Sequence, residues 1–221
     1  ISPLTNGTRA ECTFSIHRIL YPPKATDVIE FAESQEPADL AGQEFTNYAV
    51  GVDTAALIYD GCIGLDDQIR LYPSFVKEVP TQSNGLWKVW EEDGVEKMSV
   101  EFHLRKGIKW SDGYPFTVKD LKFAWEVRTH PDVPIAVNFL DLKISKIETP
   151  DDYTIIYYFK EADLEPYYIT DSMYPEHILR EKFEKSPGDL SKDKYWDNPL
   201  SNGPFKLSKW IKGERLEFEV N

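Results

Sequence analysis

The residues from Phe102 to Glu126 encode a strand, a tight turn and a capped helix within 25 positions. Apolar and polar residues alternate where the run begins, which is the pattern of a strand with one buried face. Ser-Asp-Gly at 111–113 then predicts a turn, because Asp bonds its own backbone and Gly tolerates positive φ. Thr117 stands three residues before Asp120 and predicts a capping box. This signature run therefore requires a sheet with a helix packed beside it.

The helix of the signature run is predicted over 118–128. Leu121, Ala124 and Trp125 recur at helical spacing, so they are expected to share one buried stripe. Pro131 follows the helix and cannot extend it. The large aromatic side chains Trp110, Phe116 and Trp125 are expected in the core, since such side chains are mostly buried.

The signature run resembles that of the family 5 extracellular solute-binding proteins, the oligopeptide- and dipeptide-binding receptors of ABC importers. In that family a strand ending in L-R-x-G-x-x-W precedes D-G-x-P-F/V-T and a helix. The matching residues here are Leu104, Arg105, Gly107, Trp110, Asp112, Gly113, Pro115, Phe116, Thr117 and Asp120.

Three further stretches resemble the family in the same order along the chain. Residues 27–37 look like its first strand and S-E-P turn, and 173–178 look like its turn into a helix. Residues 198–207 resemble its N-P-x-x-x-G-P-Y/F-x-L motif. Together the resemblance covers about residues 26–221.

Periodicity and turn residues predict an α+β chain, because strands and helices are mixed in this order. The other predicted elements are a strand at 27–32, a helix at 50–62, strands at 86–90 and 97–104, strands at 142–148 and 154–159, a helix at 176–184, a polar linker at 186–198, and strands at 205–210 and 214–220.

Composition excludes several classes of function. The net charge of −13 argues against nucleic-acid binding, because no basic stripe is present to neutralise phosphates. It argues equally against docking on an anionic membrane surface. The sequence contains no run of 18 apolar residues, which a transmembrane helix would need. The start Ile-Ser-Pro-Leu lacks the features of a signal peptide.

No enzyme or cofactor motif is present. The chain lacks a Gly-x-Ser-x-Gly elbow, a phosphate-binding loop and a nucleotide fingerprint. Its four histidines and two cysteines, Cys12 and Cys62, form no zinc-binding pattern, and a disulfide between the cysteines is left open. Pairs among the 38 acidic residues are expected by chance on such a surface. We therefore expect no catalytic residue, no metal site, no cofactor and no enzyme activity.

The resemblance implies a periplasmic-binding-protein-like fold of type II, in the large peptide-binding subclass. In that fold a mixed α/β subdomain is inserted into the first lobe. Residues 1–25 would form an N-terminal extension, 26–59 a first-lobe segment, 60–185 the inserted subdomain and 186–221 the return to the first lobe. Family members are considerably longer, so an N-terminal fragment is expected, with an incomplete first lobe and the second lobe absent.

The function implied by the resemblance is that of the substrate-binding component of an ABC importer. It would capture oligopeptides between two lobes and deliver them to the membrane permease, acting as a monomer in the periplasm or at the cell surface. Two alternatives stay open. One is an oligosaccharide receptor of the same family, because the 14% aromatic content allows stacking on sugar rings. The other is a stand-alone structural or interaction module without solute binding.

The resemblance also points to candidate ligand contacts. Peptide receptors of this type hold the ligand backbone through main-chain hydrogen bonds from extended segments. Asn47, Tyr48 and Ala49, just before the helix predicted at 50–62, are expected to line the cleft. Phe123 aligns with a family aromatic that reaches the cleft from the inserted subdomain, although its place on the helix at 118–128 favours core packing.

Overall fold

The computed structural model describes residues 33, 35–41, 45, 49–135, 139–163, 166–170 and 173–221 of the 221-residue chain. The chain divides into two compact units, 1–35 and 36–221. Glu33 and Gln35 are the described residues of the first unit. The strand predicted at 27–32 and Cys12 lie outside the described residues.

The second unit contains the named helices and strands. In chain order they are α1 (Ala49–Ile58), β1 (Ile63–Leu65), β2 (Leu71–Pro73), β3 (Trp87–Glu92), β4 (Val95–His103), α2 (Val118–Thr129), β5 (Ile144–Asp151), β6 (Thr154–Phe159), α3 (Glu176–Lys185), β7 (Phe205–Ile211) and β8 (Arg215–Val220). Within the described residues no helix is both long enough and apolar enough to cross a membrane.

The central element is a four-stranded antiparallel sheet with the strand order β3-β4-β6-β5. Its registers pair Val100 with Tyr157 and Phe102 with Ile155, so these hydrophobic side chains share one face. That face is buried, as the alternation in the sequence predicts. The turn between β3 and β4 has Asp93 and Gly94 at positive φ, which matches the twist of a tight hairpin.

Most of the predicted elements are confirmed. The hairpins predicted at 86–104, 142–159 and 205–220 and the helices at 118–128 and 176–184 are present, with ends displaced by at most three residues. The small hairpin of β1 and β2 was not expected, because each strand has only three residues.

Two predictions need correction. The helix predicted to reach residue 62 ends at Ile58, because its last carbonyl is taken by residues from a distant part of the chain. The segment 186–198 is not a plain polar linker. It forms two 3-10 helices that bury Leu190 and Trp196.

Two clusters of buried apolar side chains form the core of the described residues. The first lies on the sheet and includes Trp110 and Phe116 of the signature run. The second lies between α2, α3 and the 3-10 helices and includes Phe123 and Trp196. The expected single stripe on α2 is therefore divided. Leu121 packs in the first cluster, Ala124 in the second, and the half-buried Trp125 lies against the first.

A buried ion pair joins the end of α2 to the 3-10 helix Asp141–Lys143, which immediately precedes β5. Arg128 Nε and Nη2 lie 2.8 Å and 2.7 Å from Oδ2 of Asp141, and both residues are buried. The Trp125 indole donates to the Asp141 carbonyl at 3.2 Å. A charge taken out of water is stable only when it is paired, so this pair fixes the position of α2 against the 3-10 helix that leads into β5.

Replacing Arg128 with Met should therefore lower the free energy of unfolding by about 3–5 kcal/mol, because the Asp141 carboxylate loses a buried countercharge. Urea unfolding followed by circular dichroism measures the change. The matched control is Arg215→Met, which removes the same charge from an exposed ion pair on β8 and should change stability by about 0.5 kcal/mol or less. Equal losses in the two variants would contradict the role given to the buried pair.

Candidate functional site

The start of α2 is fixed by the capping box predicted from the sequence. Thr117 and Asp120 form it, with Asp120 Oδ2 accepting from the Thr117 N–H at 2.9 Å. The other carboxylate oxygen, Oδ1, accepts from the Glu176 N–H at 3.0 Å, which is the first amide of α3. One carboxylate thus holds the N-termini of two helices together. Burial raises the pKa of Asp120 above its usual value, although both N–H groups oppose the shift.

The Ser-Asp-Gly turn is attached to α3 by its aspartate. Asp112 Oδ1 accepts from the Tyr114 N–H at 2.9 Å, and Oδ2 lies 2.8 Å from Nε2 of His177. The Tyr114 ring stacks on the His177 imidazole, with centroids 3.8 Å apart and planes inclined by 10°. The signature turn, α2 and α3 therefore form one connected unit.

A second polar cluster terminates α1. We call it the Ile58 junction and define it by Ile58, Asp60, Ser201, Asn202 and Gly203. The Ile58 carbonyl accepts from the N–H groups of Asn202 and Gly203 at 3.2 Å and 2.9 Å. These donors come from the segment that the sequence matched to the family's Gly-Pro motif, about 140 residues further along the chain.

The predicted ligand contacts are only partly described. Asn47 and Tyr48 lie outside the described residues, and Ala49 is the first residue of α1. The side chain of Phe123 has 0% exposure and belongs to the second cluster, whereas the buried residues of α1 belong to neither cluster. The contact of these residues with a ligand stays a prediction.

Aromatic and cationic groups enclose Phe123. Its ring packs edge-on against Phe183 at 5.6 Å and Tyr174 at 6.5 Å, and the Arg180 guanidinium lies 4.4 Å from its centre. Arg180 is held in turn by Glu126 of α2. Phe123 therefore serves here as the contact through which α2 packs on α3.

Sequence reasoning missed the contacts of Asp120 with Glu176 and of Asp112 with His177. Both pairs join motifs that the sequence had identified separately, but no local pattern reports a contact between segments so far apart. In the part of the chain that the structure describes, no three His, Cys, Asp or Glu side chains are grouped closely enough to hold a metal ion.

The family of this chain follows from comparison with known proteins. The model of the bacterial extracellular solute-binding proteins, family 5 Middle, matches residues 84–221, which is more than half of the chain. The chain therefore belongs to the family 5 extracellular solute-binding proteins, and the resemblance seen in the signature run is confirmed.

Individual relatives agree with this assignment. The periplasmic oligopeptide-binding protein OppA of Haemophilus influenzae is 31% identical over 187 residues, which cover 76% of this chain and 32% of OppA. The oligopeptide-binding protein of Thermus thermophilus, solved with a pentapeptide, superposes with a TM-score of 0.75 at 25% identity. The superposed region includes 85% of this chain and 36% of the Thermus chain. The fold is therefore that of the periplasmic peptide-binding proteins.

The same fold occurs in a protein with a different ligand. An oligopeptide ABC transporter-binding protein of Thermotoga maritima, solved with mannohexaose, has a TM-score of 0.57 at 21% identity and covers 75% of this chain and 28% of its own. This similarity concerns the fold alone. The chain spans 24% to 32% of the length of the curated relatives that it matches.

Replacing Phe123 with Ala should lower the free energy of unfolding by about 3–5 kcal/mol, because a large cavity would open between α2 and α3. Denaturant unfolding tests this. The matched control is Phe139→Ala, since Phe139 is 59% exposed and its removal should cost about 0.5 kcal/mol or less. A loss at Phe123 no larger than that at Phe139 would contradict the packing role.

The attachment of Asp112 to His177 predicts a dependence on pH. Burial alone would raise the pKa of Asp112, but the hydrogen bonds from His177 and from the Tyr114 N–H outweigh it, so the pKa lies below its usual value. A lowered carboxyl pKa stabilises the fold above the ordinary pKa, and this contribution is lost as the pH falls through the lowered pKa.

In His177→Ala the pKa of Asp112 should therefore rise toward its usual value. The fall in the free energy of unfolding between about pH 6 and about pH 2 should be smaller in this variant than in the wild type. NMR titration of the Asp112 carboxyl group measures the first effect, and unfolding at several pH values measures the second. His103→Ala, which removes the partner of Glu101 on β4, is the control. An unchanged Asp112 pKa in His177→Ala would refute the proposed cause.

Proposed function

We propose that the protein carrying this chain is the substrate-binding component of an ABC importer, which captures oligopeptides between two lobes and delivers them to the membrane permease. The observation that carries the proposal is the family membership, joined to the similarity of fold to a receptor solved with a pentapeptide. Such a receptor binds and releases its solute by hinge closure and performs no covalent chemistry. We further propose a monomer in the periplasm or at the cell surface, without enzyme activity.

The division into segments proposed from the sequence has support in long-range contacts. Segment 26–59 would belong to the first lobe, 60–185 would be the inserted subdomain and 186–221 would return to the first lobe. The Leu40 N–H donates to the Trp196 carbonyl at 2.9 Å, and the Ile58 carbonyl accepts from Gly203. These bonds join the first and third of the segments, as expected for two parts of one lobe.

A carboxylate makes a further connection between these segments. Glu36 accepts from the Trp210 indole at 2.6 Å and from the Gly213 N–H at 3.0 Å, so residues before α1 are attached to the turn between β7 and β8. These N–H groups lower the pKa of Glu36. The four-stranded sheet falls entirely within the proposed inserted subdomain.

Within this receptor we propose that Asn47, Tyr48 and Ala49 contact the solute. They immediately precede or begin α1, and main-chain donors and acceptors can hydrogen-bond to a peptide backbone. Phe123 would act on the solute site through the packing of α2, because its own side chain is enclosed.

Native mass spectrometry of the full-length gene product, purified without refolding, tests the ligand class. A co-purified distribution of peptide masses is expected. A series spaced by hexose units would instead favour the oligosaccharide receptor, which the Thermotoga neighbour makes the second candidate. A protein that carries no solute and binds neither class in calorimetry would support the stand-alone module.

Replacing Tyr48 with Ala in the full-length protein should weaken binding of a pentapeptide library by about tenfold, the effect of losing one good contact. Fluorescence titration or calorimetry measures the dissociation constant. Tyr72→Ala is the matched control, because Tyr72 is an exposed tyrosine on β2 and is not one of the proposed contact residues. Equal affinities in Tyr48→Ala and the wild type would remove Tyr48 from the site.

A further inference from the structure

We propose that the Ile58 junction is a positioning site for solute binding. It fixes the C-terminal end of α1, and through the helix it sets the place of the residues at the other end. The link to the solute rests on the proposed function, in which Ala49 and its neighbours contact the ligand. The fixing of α1 by the junction stands on the observed contacts alone.

The last carbonyl of α1 is unusually well supplied with donors. A helix leaves its final carbonyls without partners inside the helix, so donors must come from elsewhere. The Ile58 carbonyl receives two backbone N–H groups from 202 and 203, and Ser201 Oγ lies 2.6 Å from it. That hydroxyl also lies 2.5 Å from the Phe205 carbonyl, and its single proton can be donated to only one of the two.

The side chain of Asn202 hydrogen-bonds to the backbone just past α1. Its Oδ1 accepts from the Asp60 N–H at 3.2 Å, and its Nδ2 lies 3.4 Å from the Asp60 carbonyl and 3.1 Å from the Met173 sulfur. The amide supplies one acceptor atom and one donor atom, whereas an ionised carboxylate only accepts. Asn202 is 6% exposed and Ser201 is fully buried, so water cannot replace these bonds.

Gly203 allows the close approach of the two segments. A Cβ at this position would lie 2.8 Å from the Ile58 carbonyl carbon and 2.9 Å from its oxygen. Both atoms are backbone, so they can yield only if the end of α1 moves. The contact distance between the segments is therefore set by the absence of a side chain at residue 203.

The junction is also attached to the signature turn. The Ser111 N–H donates to the Ser201 carbonyl at 2.8 Å, and the Ser201 N–H donates to Ser111 Oγ at 3.0 Å. Ser111 is followed by Asp112, which holds His177 of α3. The end of α1 is thereby connected through polar contacts to the body formed by α2, α3 and the sheet.

The apolar packing of α1 is separate from the two core clusters of the described residues, and the helix also contacts β7. Its buried side chains Val50, Leu57 and Ile58 belong to neither of the two core clusters of the described residues. Tyr59, just past the helix, packs against the first cluster. The hydrogen bonds at the end of α1 act over short distances and at fixed angles, so they add a directed constraint to this packing.

The test uses Asn202→Asp in the full-length protein, with Asn198→Asp as the matched control. The first substitution removes the Nδ2 donor of residue 202 and places a carboxyl group in the buried junction. The second makes the same chemical change at an exposed residue four positions earlier. Ser201→Ala is a milder variant for the case that Asn202→Asp does not fold. Ile155→Val is a second control, because it removes one methylene group from the core of the sheet and lowers stability without changing the junction.

Two readouts are needed. Hydrogen exchange of the α1 amides should be about tenfold faster in Asn202→Asp or Ser201→Ala, while β4 and β6 stay protected. The dissociation constant of the pentapeptide library should rise by about tenfold in the same variants. Asn198→Asp should change neither quantity, and Ile155→Val should not accelerate exchange in α1 selectively or weaken binding.

The possible failures are distinguishable. If exchange in α1 is unchanged in both junction variants, the junction does not position the helix and the proposal is overturned. Faster exchange with unchanged affinity overturns the link to the solute. If the wild-type protein binds no member of the library, the proposed peptide function is wrong, and the exchange data decide the role of the junction by themselves.

Discussion

The architecture of the described residues depends on one buried carboxylate. Asp120 accepts from the N–H that precedes α2 and from the first N–H of α3, so the starts of two helices meet at a single side chain. Helix N-termini carry unpartnered donors and partial positive charge, and a carboxylate satisfies both. The second core cluster, with Phe123 at the contact of the two helices, can pack only when that geometry is set. Burial raises the pKa of Asp120, and the two hydrogen bonds oppose that shift only in part.

The residues by which this chain is recognised as a solute-binding protein are mainly structural in the described part of the molecule. Trp110 and Phe116 fill the first cluster, Asp112 holds α3 through His177, and Ser111 exchanges hydrogen bonds with Ser201. The signature run is thus a connector between the sheet, two helices and the Gly-Pro motif.

The Ile58 junction extends the same logic to α1. The described buried apolar residues of α1 lie outside both core clusters, and the carbonyl of Ile58 at its C-terminal end is held by a segment from far along the chain. Its other end begins at Ala49, where the proposed solute contacts stand. A short helix transmits a displacement at one end to the other, because its own hydrogen bonds make it stiff compared with a loop. The proposed solute contacts and the Gly-Pro motif therefore lie at the two ends of one stiff helix.

The sequence by itself determined the hairpins, the helices at 118 and 176, the capping box of Thr117 and Asp120, and the family. These features rest on local periodicity, turn residues and caps, which act between residues near one another in the chain. The sequence could not determine that Asp120 also caps α3, that Asp112 meets His177, that α1 ends at Ile58, or that Leu190 and Trp196 of an apparently polar linker are buried. Each of these depends on segments that are distant in sequence and meet only in the folded chain. Only the tertiary structure therefore decided that Phe123 lies in the core, because the same apolar residue on a helix suits a core or a cleft until its neighbours are in place.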